Sequence, residues 1–233
     1  MIEAKLAPCF VLHRRAYRET SLLVEAFSPT YGRVGLIARG VRQKRSRWTG
    51  LLEPFQPLWL SWRGRGELGT LTTIESAVRL QELRAGRLYA GFYINELLMR
   101  LTVRNDPAPE LYDGYDASIR QLSALGPEGP ILRVFEKQLL TSIGYGVITD
   151  FDVDDGEQIR SDKYYDYIPE VGPTRATNGQ GCRVSGKTLL ALARGEFDDE
   201  ATLRESKLLM RTLLARHLGE RPLETRILYS TPP

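Results

Sequence analysis

The sequence predicts an α+β protein: an N-terminal barrel of the OB-fold type, then an α-helical domain with a small irregular insertion. Three observations carry this. Short apolar strands separated by turn residues fill the first third of the chain. Near residue 80 the hydrophobic period changes from two to that of a helix. The charge is also uneven. Residues 1–79 hold 13 Lys+Arg against 6 Asp+Glu, a net +7, and residues 80–233 hold 19 against 23, a net −4. A basic module beside a mildly acidic one points to a polyanion meeting one part of the chain.

The strands come in order. Cys9–His13 is a short apolar run. Ser21–Phe27 follows and ends at the turn cluster Ser28–Gly32. Arg33–Ala38 alternates, with Val34, Leu36 and Ala38 on one face. Leu58–Trp62 and Leu68–Ile74 complete five candidate strands. Five strands in so few residues, with basic loops, suit a small closed barrel, which leaves one face and two loops for nucleic acid. Next come three helical stripes: Leu88 to Leu101, Leu111 to Leu122, and Ile131 to Ile143, read as a bundle. Asn105–Pro109 and Gly126–Pro130 interrupt them, because proline disfavours helix in the residue before it. The acidic run Asp150–Glu157, Tyr164–Tyr167 and a Pro/Gly/Asn-rich stretch read as an irregular connector with room for a short hairpin. Ser185 can cap a helix over Lys187–Ala193, and Glu200–Leu218 is the last helix. The expected domains are 1–80 (barrel), 81–149 (helical), 150–184 (irregular acidic insert) and 185–233 (helices returning to the helical domain).

Composition excludes several classes. With 233 residues, 42% hydrophobic and 26% charged, the chain can build a core and is neither disordered nor fibrous. Two cysteines and two histidines at wide spacing make no metal-ligand pattern, so neither metal nor cofactor is expected. No apolar run reaches the roughly 18–20 residues of a membrane span, and the N-terminus has no long apolar signal region. A cytoplasmic, reducing location is expected.

Two motifs imitate nucleotide sites. Gly181–Thr188 fits G-x-x-x-x-G-K-T, but a phosphate cradle needs a buried strand running into its first glycine. Pro173–Gln180 is polar and turn-rich, so the preferred reading is a helix start at Ser185 and Gly186. Gly64–Gly69 fits G-x-G-x-x-G, but Thr70–Ile74 follows, which favours strand over the required helix. These glycines read as a hairpin turn with Arg63 and Arg65 near its tip. No catalytic triad can be assembled: His13 sits on a strand and His217 in a helix's last turn, where a cation suits the dipole. The acid run lacks the calcium-loop pattern. No enzyme activity is expected.

Arg39–Trp48 is different. It carries five cations, Arg39, Arg42, Lys44, Arg45 and Arg47, with no acid, and Gly40, Ser46 and Thr49 make it a loop. Phosphates neutralising it would release counterions and make binding steeply salt-dependent. Trp48 reads equally as a base-stacking platform or as core. The residues alone leave single-stranded DNA, double-stranded DNA and RNA open.

Several segments in order resemble the RecO family of bacterial recombination mediators: Phe10–His13 with Glu19–Leu22; Gly32–Val34 leading into the basic loop; Leu52–Pro57; Tyr93–Leu98; Leu132–Glu136 with Gly144–Gly146; and Leu218–Leu223 with Arg226. The resemblance covers nearly the whole chain. It implies binding of single- and double-stranded DNA and annealing of complementary strands. With RecR, it implies loading of RecA onto strands coated by the single-stranded DNA-binding protein, SSB. It implies a nucleoid-associated cytoplasmic protein. It also implies that the acidic, apolar C-terminal tail of SSB is held by the helical domain, with Arg133 at a family position for it. Some relatives hold a four-cysteine zinc; here Cys182 is the lone cysteine of that region, so zinc is not carried over. The expected DNA contacts are Arg39, Arg42, Lys44, Arg45, Arg47, Arg63 and Arg65, with Trp48 beside them. The alternatives are an RNA-binding OB protein, or a P-loop enzyme using Gly181–Thr188.

Overall fold

Inward-facing apolar side chains gather the first five strands into a closed barrel. The structure, a computed structural model, describes residues 2–44, 46–64, 66–84, 86–175 and 181–226. The strands are β1 (Ile2–Tyr17), β2 (Ser21–Ser28), β3 (Gly32–Ala38), β4 (Pro57–Gly64) and β5 (Leu68–Ser76). They close in the order β1-β2-β3-β5-β4. The β3–β5 pair is parallel and the other pairs are antiparallel. Val11, Val24, Leu36, Leu60, Trp62 and Leu71 fill the interior. β1 is far longer than the apolar run Cys9–His13. Its far end, His13–Ala16, is exposed on every residue, and its near end carries an irregularity at Lys5–Leu6, so neither shows the period of two.

Helices α1 (Gly86–Leu101) and α2 (Pro109–Ser123) form one compact unit with the barrel. A buried polar chain anchors them: the Asn95 amide donates to the Leu12 carbonyl at 2.8 Å, and the Tyr115 hydroxyl donates to Asn95 Oδ1 at 2.8 Å. Phe10 and Phe27 pack edge-on against Tyr115. The Glu96 carboxylate accepts the backbone N–H groups of Glu224 (2.7 Å) and Thr225 (2.9 Å), tying residues 223–226 to α1. Burying polar groups is tolerable because they are bonded.

Residues 126–222 form a second compact unit. It contains α3 (Glu128–Ser142), α4 (Gly186–Arg194), α5 (Glu200–Leu218) and a sheet in the order β7-β6-β8, from β6 (Tyr164–Ile168), β7 (Gly172–Thr174) and β8 (Cys182–Ser185). The three stripes expected as one bundle are therefore divided: α1 and α2 serve the barrel, and α3 packs with α4 and α5. The insertion carries the hairpin the sequence left room for, β6–β7, plus a third strand. Its acidic run is organised by one cation. Arg175 pairs with Asp152 (3.0 Å), Asp155 and Glu157 (3.1 Å), where a solvated connector was expected. Ser185 caps α4 as expected, its hydroxyl accepting from the Thr188 N–H at 3.2 Å. Among the described residues, no helix is long and apolar enough to cross a membrane.

Candidate nucleic-acid interface

The basic loop leaves β3 at Ala38 and is fastened to the barrel at once. Val41 is buried in the core. The Arg42 N–H donates to the Thr20 carbonyl at 2.9 Å, and its guanidinium donates to the Arg18 carbonyl at 3.3 Å. The loop thus lies on the β1–β2 turn. Successive turns carry it onward, with Gln43 N–H bonded to the Gly40 carbonyl and Ser46 N–H to that of Gln43. Between these anchors Arg39, Arg42, Lys44 and Arg47 are exposed. Arg45 lies outside the described residues. Trp48 is half-buried against the barrel core, and the Arg47 guanidinium stands 5.2 Å from its ring centre. In this arrangement Trp48 pins the loop's end.

The fold brings further cations to this loop. Arg14, Arg15 and Arg18 are exposed at the end of β1. Arg14 is paired with Glu53 at 2.5 Å. Sequence reading missed them as site residues, although three cations in five residues before a turn were a usable signal. Strand register extends the surface. Arg15 pairs with Leu23, Leu23 with Ile37, Ile37 with Thr70, and Thr70 with Arg63. Residues in one such row face the same side, and strands lie about 4.8 Å apart, so Arg15 and Arg63 stand about 19 Å apart around the barrel. Leu23, Ile37 and Thr70, all half-buried, floor the strip between them. Arg63 is exposed beside the β4–β5 hairpin as expected, and Arg65 lies outside the described residues.

Not every cation of the barrel unit is free. Glu25, 5% exposed, is clamped by Arg33 (3.4 Å) and Arg104. Burial draws the Arg33 pKa down from its ordinary value, and Glu25 opposes that shift. The exposed charge on the barrel is therefore the loop, the end of β1 and Arg63, with Lys5 at the other end of β1.

The two imitation motifs resolve into packing. Gly64–Gly69 makes the β4–β5 hairpin, with Gly66 at φ +95°. In Gly181–Thr188 the residues Cys182–Ser185 are strand β8, bonded to β6, so their backbone is not wrapped to cradle a phosphate. Both glycines stand where a Cβ would press on main chain, Gly181 on the Tyr167 carbonyl and Gly186 on that of Arg160. Lys187 Nζ is held by Asp199 at 2.6 Å. Among the described residues, no group of three or more His, Cys, Asp or Glu could hold a metal ion.

Arg133 sits on α3 and is 5% exposed, paired with Glu136, which is 1% exposed. Its Nε has no hydrogen-bond partner among the described residues. The expectation of an arginine beside an apolar stripe did not foresee this burial, although the pairing itself follows the three-residue spacing of Arg133 and Glu136 on a helix. The same unit holds a cavity of about 320 Å³, lined by Leu140, Val147, Tyr167, Leu213 and His217 among others. The Tyr145 and His217 rings, both in its lining, have centres 3.9 Å apart and planes tilted by 36°.

Comparison with known proteins agrees with this architecture. The family profile described as "Recombination protein O N terminal" matches residues 1–78, and "Recombination protein O C terminal" matches residues 84–227. A protein of Nitrosococcus oceani named DNA repair protein RecO is 47% identical over 223 residues, covering 95% of this chain and 91% of that protein. Its namesake from Halorhodospira halophila is 47% identical over 226 residues, covering 95% of each chain. The one from Methylococcus capsulatus is 45% identical over 223 residues, covering 94% of this chain and 90% of its own. With both profiles matched in order and nearly the whole length shared, the chain belongs to the RecO family.

Proposed function

We propose that this protein is a DNA-repair mediator that binds single- and double-stranded DNA and anneals complementary strands. With RecR, it helps load RecA onto SSB-coated single strands. One observation supports the reading above the others: an acid-free cationic loop, fastened by Val41 and Arg42 to a closed barrel, beside the cations at the end of β1. Annealing needs no nucleophile and no metal. Two strands repel through their phosphates, and a cationic surface that engages phosphates lowers that repulsion while leaving base edges free to pair. Arg39, Arg42, Lys44, Arg45, Arg47, Arg63 and Arg65 supply the phosphate contacts, and Trp48 holds the loop in place. The protein works in the cytoplasm at the nucleoid.

The second partner is an acidic tail ending in an apolar residue. Arg133 offers a guanidinium in apolar surroundings, where a charge-assisted bond to a carboxylate is strong. Glu136 occupies that guanidinium in the unbound protein. A tail carboxylate takes over the same cation.

The test is the rate at which labelled complementary strands pair, bare and coated with SSB. The protein should accelerate both, and matched RNA strands should compete poorly. No acceleration of bare strands removes the annealing assignment. Acceleration of bare strands alone removes the SSB assignment. RNA competing as well as DNA favours the RNA-binding alternative.

A further inference from the structure

The three tryptophans occupy three environments. Trp62 is in the barrel core, Trp48 is half-buried against it, and Trp59 is 42% exposed on the outer face of β4. β4 alternates strictly: Leu58, Leu60 and Trp62 point inward, while Trp59, Ser61 and Arg63 face out or toward the surface. Trp59 is not on a loose loop. Its backbone is paired on both sides, to Pro8 of β1 and Glu75 of β5. A large flat ring is thus displayed from a rigid strand.

The neighbouring strand is distorted toward the same strip. The pairing runs Ala4 with Trp62, then Ala7 with Leu60, so Lys5 and Leu6 of β1 stand against Ser61 alone. This bulge puts two consecutive residues, Lys5 and Leu6, at the surface. Leu6 has φ +45°, a conformation that a branched side chain rarely adopts, and its N–H is fixed to Ser61 Oγ at 2.9 Å. Such strain is kept where the surroundings over-determine it. The result is an outward strip of one aromatic ring, one apolar side chain and two cations: Trp59, Leu6, Lys5 and Arg63. Four strand residues, about 13 Å, separate Trp59 from Arg63. Glu75 lies across from Trp59, which disfavours a phosphate there and leaves the ring for a base.

We propose that this strip is a second contact for a single-stranded nucleic acid: an unpaired base stacks on Trp59, and flanking phosphates meet Lys5 and Arg63. The inference rests on the nucleic-acid reading above and adds selectivity to it. Cations engage phosphates of single strands and duplexes alike. Only an unpaired base offers its face to a ring. Arg63 joins the two surfaces, because it ends the row that leads from Arg15 across Leu23, Ile37 and Thr70.

The experiment compares full-length wild type, Trp59→Ala, Trp59→Phe and the loop variant Arg42→Ala/Lys44→Ala/Arg45→Ala. Each is titrated against an oligothymidine and a duplex of equal length. Trp59→Ala should weaken oligothymidine binding roughly 5- to 150-fold and leave duplex binding unchanged. Trp59→Phe should keep part of the affinity. Oligothymidine should quench wild-type tryptophan emission, and that quench should vanish in Trp59→Phe. The exposed site makes misfolding easy to exclude by a shared melting temperature. Unchanged oligothymidine binding by Trp59→Ala, with the loop variant losing both ligands, overturns this inference alone. Retention of both ligands by the loop variant overturns the reading on which it rests, and this inference with it.

Discussion

Changing Arg42, Lys44 and Arg45 together to alanine removes three of the loop's five cations. If each meets one phosphate, the slope of log K against log salt falls by about 0.7 per contact on single strands and about 0.9 on duplex. Three contacts lower the slope by about 2.1 and about 2.7. The ionic contribution vanishes near 1 M salt, so at about 0.1 M the affinity loss is about 100-fold for single strands and about 500-fold for duplex. The fold should survive. The Arg42 N–H bond to Thr20 and the buried Val41 remain, and the side-chain bond to Arg18 is worth only about 0.5–1.5 kcal/mol. Arg39, Arg47 and the exposed arginines of β1 keep a residual slope. Fluorescence anisotropy of labelled strands from about 50 to 200 mM salt reads both quantities. An unchanged slope with intact affinity refutes the loop assignment. Lost affinity at an unchanged slope refutes the ionic mechanism.

Other outcomes follow from particular groups. Arg133→Met takes the guanidinium from a carboxylate in the interior and should cost about 3–5 kcal/mol in denaturant unfolding, whereas Arg133→Met/Glu136→Gln should recover most of it. That double variant should still bind DNA but lose an acidic-tail peptide in an anisotropy titration. The Lys187 ammonium and the Thr202 backbone hold the Asp199 carboxyl well below the usual carboxylate range. A depressed folded-state pKa stabilises above the unfolded value, near pH 4, and the gain is lost as pH falls through the folded value. Asp199→Asn keeps the helix cap and should lower the neutral-pH melting temperature slightly while flattening the acid limb below about pH 4. Burial pushes the Cys9 thiol up to about 12, with a Ser28 hydrogen bond opposing. A thiol reagent at pH 8 should therefore reach half-buried Cys182 first and Cys9 only on unfolding; equal rates would show that the barrel opens locally.

The barrel was legible because period-two alternation is strong where one face is buried. Arg33–Ala38 shows it, with Val34, Leu36 and Ala38 inward, and the structure places strands there and at the apolar run Leu58–Trp62. One helix start was legible from its cap, Ser185, which accepts a hydrogen bond there; Asp199 does the same for α5 without having been singled out in the sequence. β8 was hidden inside a motif that imitates a phosphate loop, because spacing alone does not distinguish glycines chosen for close packing from glycines chosen to wrap an anion. The basic loop was legible as charge. Its seat on Arg18 and Thr20 was not, since that depends on where the β1–β2 turn lies in space. Attention fell on Trp48 because it adjoins the cations, yet the outward position in β4 belongs to Trp59, as the inward Leu58 and Leu60 on either side imply. The division of the helices was invisible because each stripe shows only that a helix buries one face, not against what.

Closing the barrel removes an option as well as building a surface. Each strand from β1 to β5 has a neighbour on both sides over part of its length, so the barrel's open edge of unpaired main-chain groups is confined to the end of β1 and the short β3–β5 seam. Little of its edge is left for a partner peptide to extend by adding a strand. The β7 edge of the small sheet is three residues long and carries Pro173, which makes it a poor template too. Whatever polymer lies along the barrel is gripped through side chains such as arginine and lysine, whose long stems swing and whose reach does not depend on which base comes next. Such a grip accepts any base order and releases by small steps, as the proposed mediator role requires.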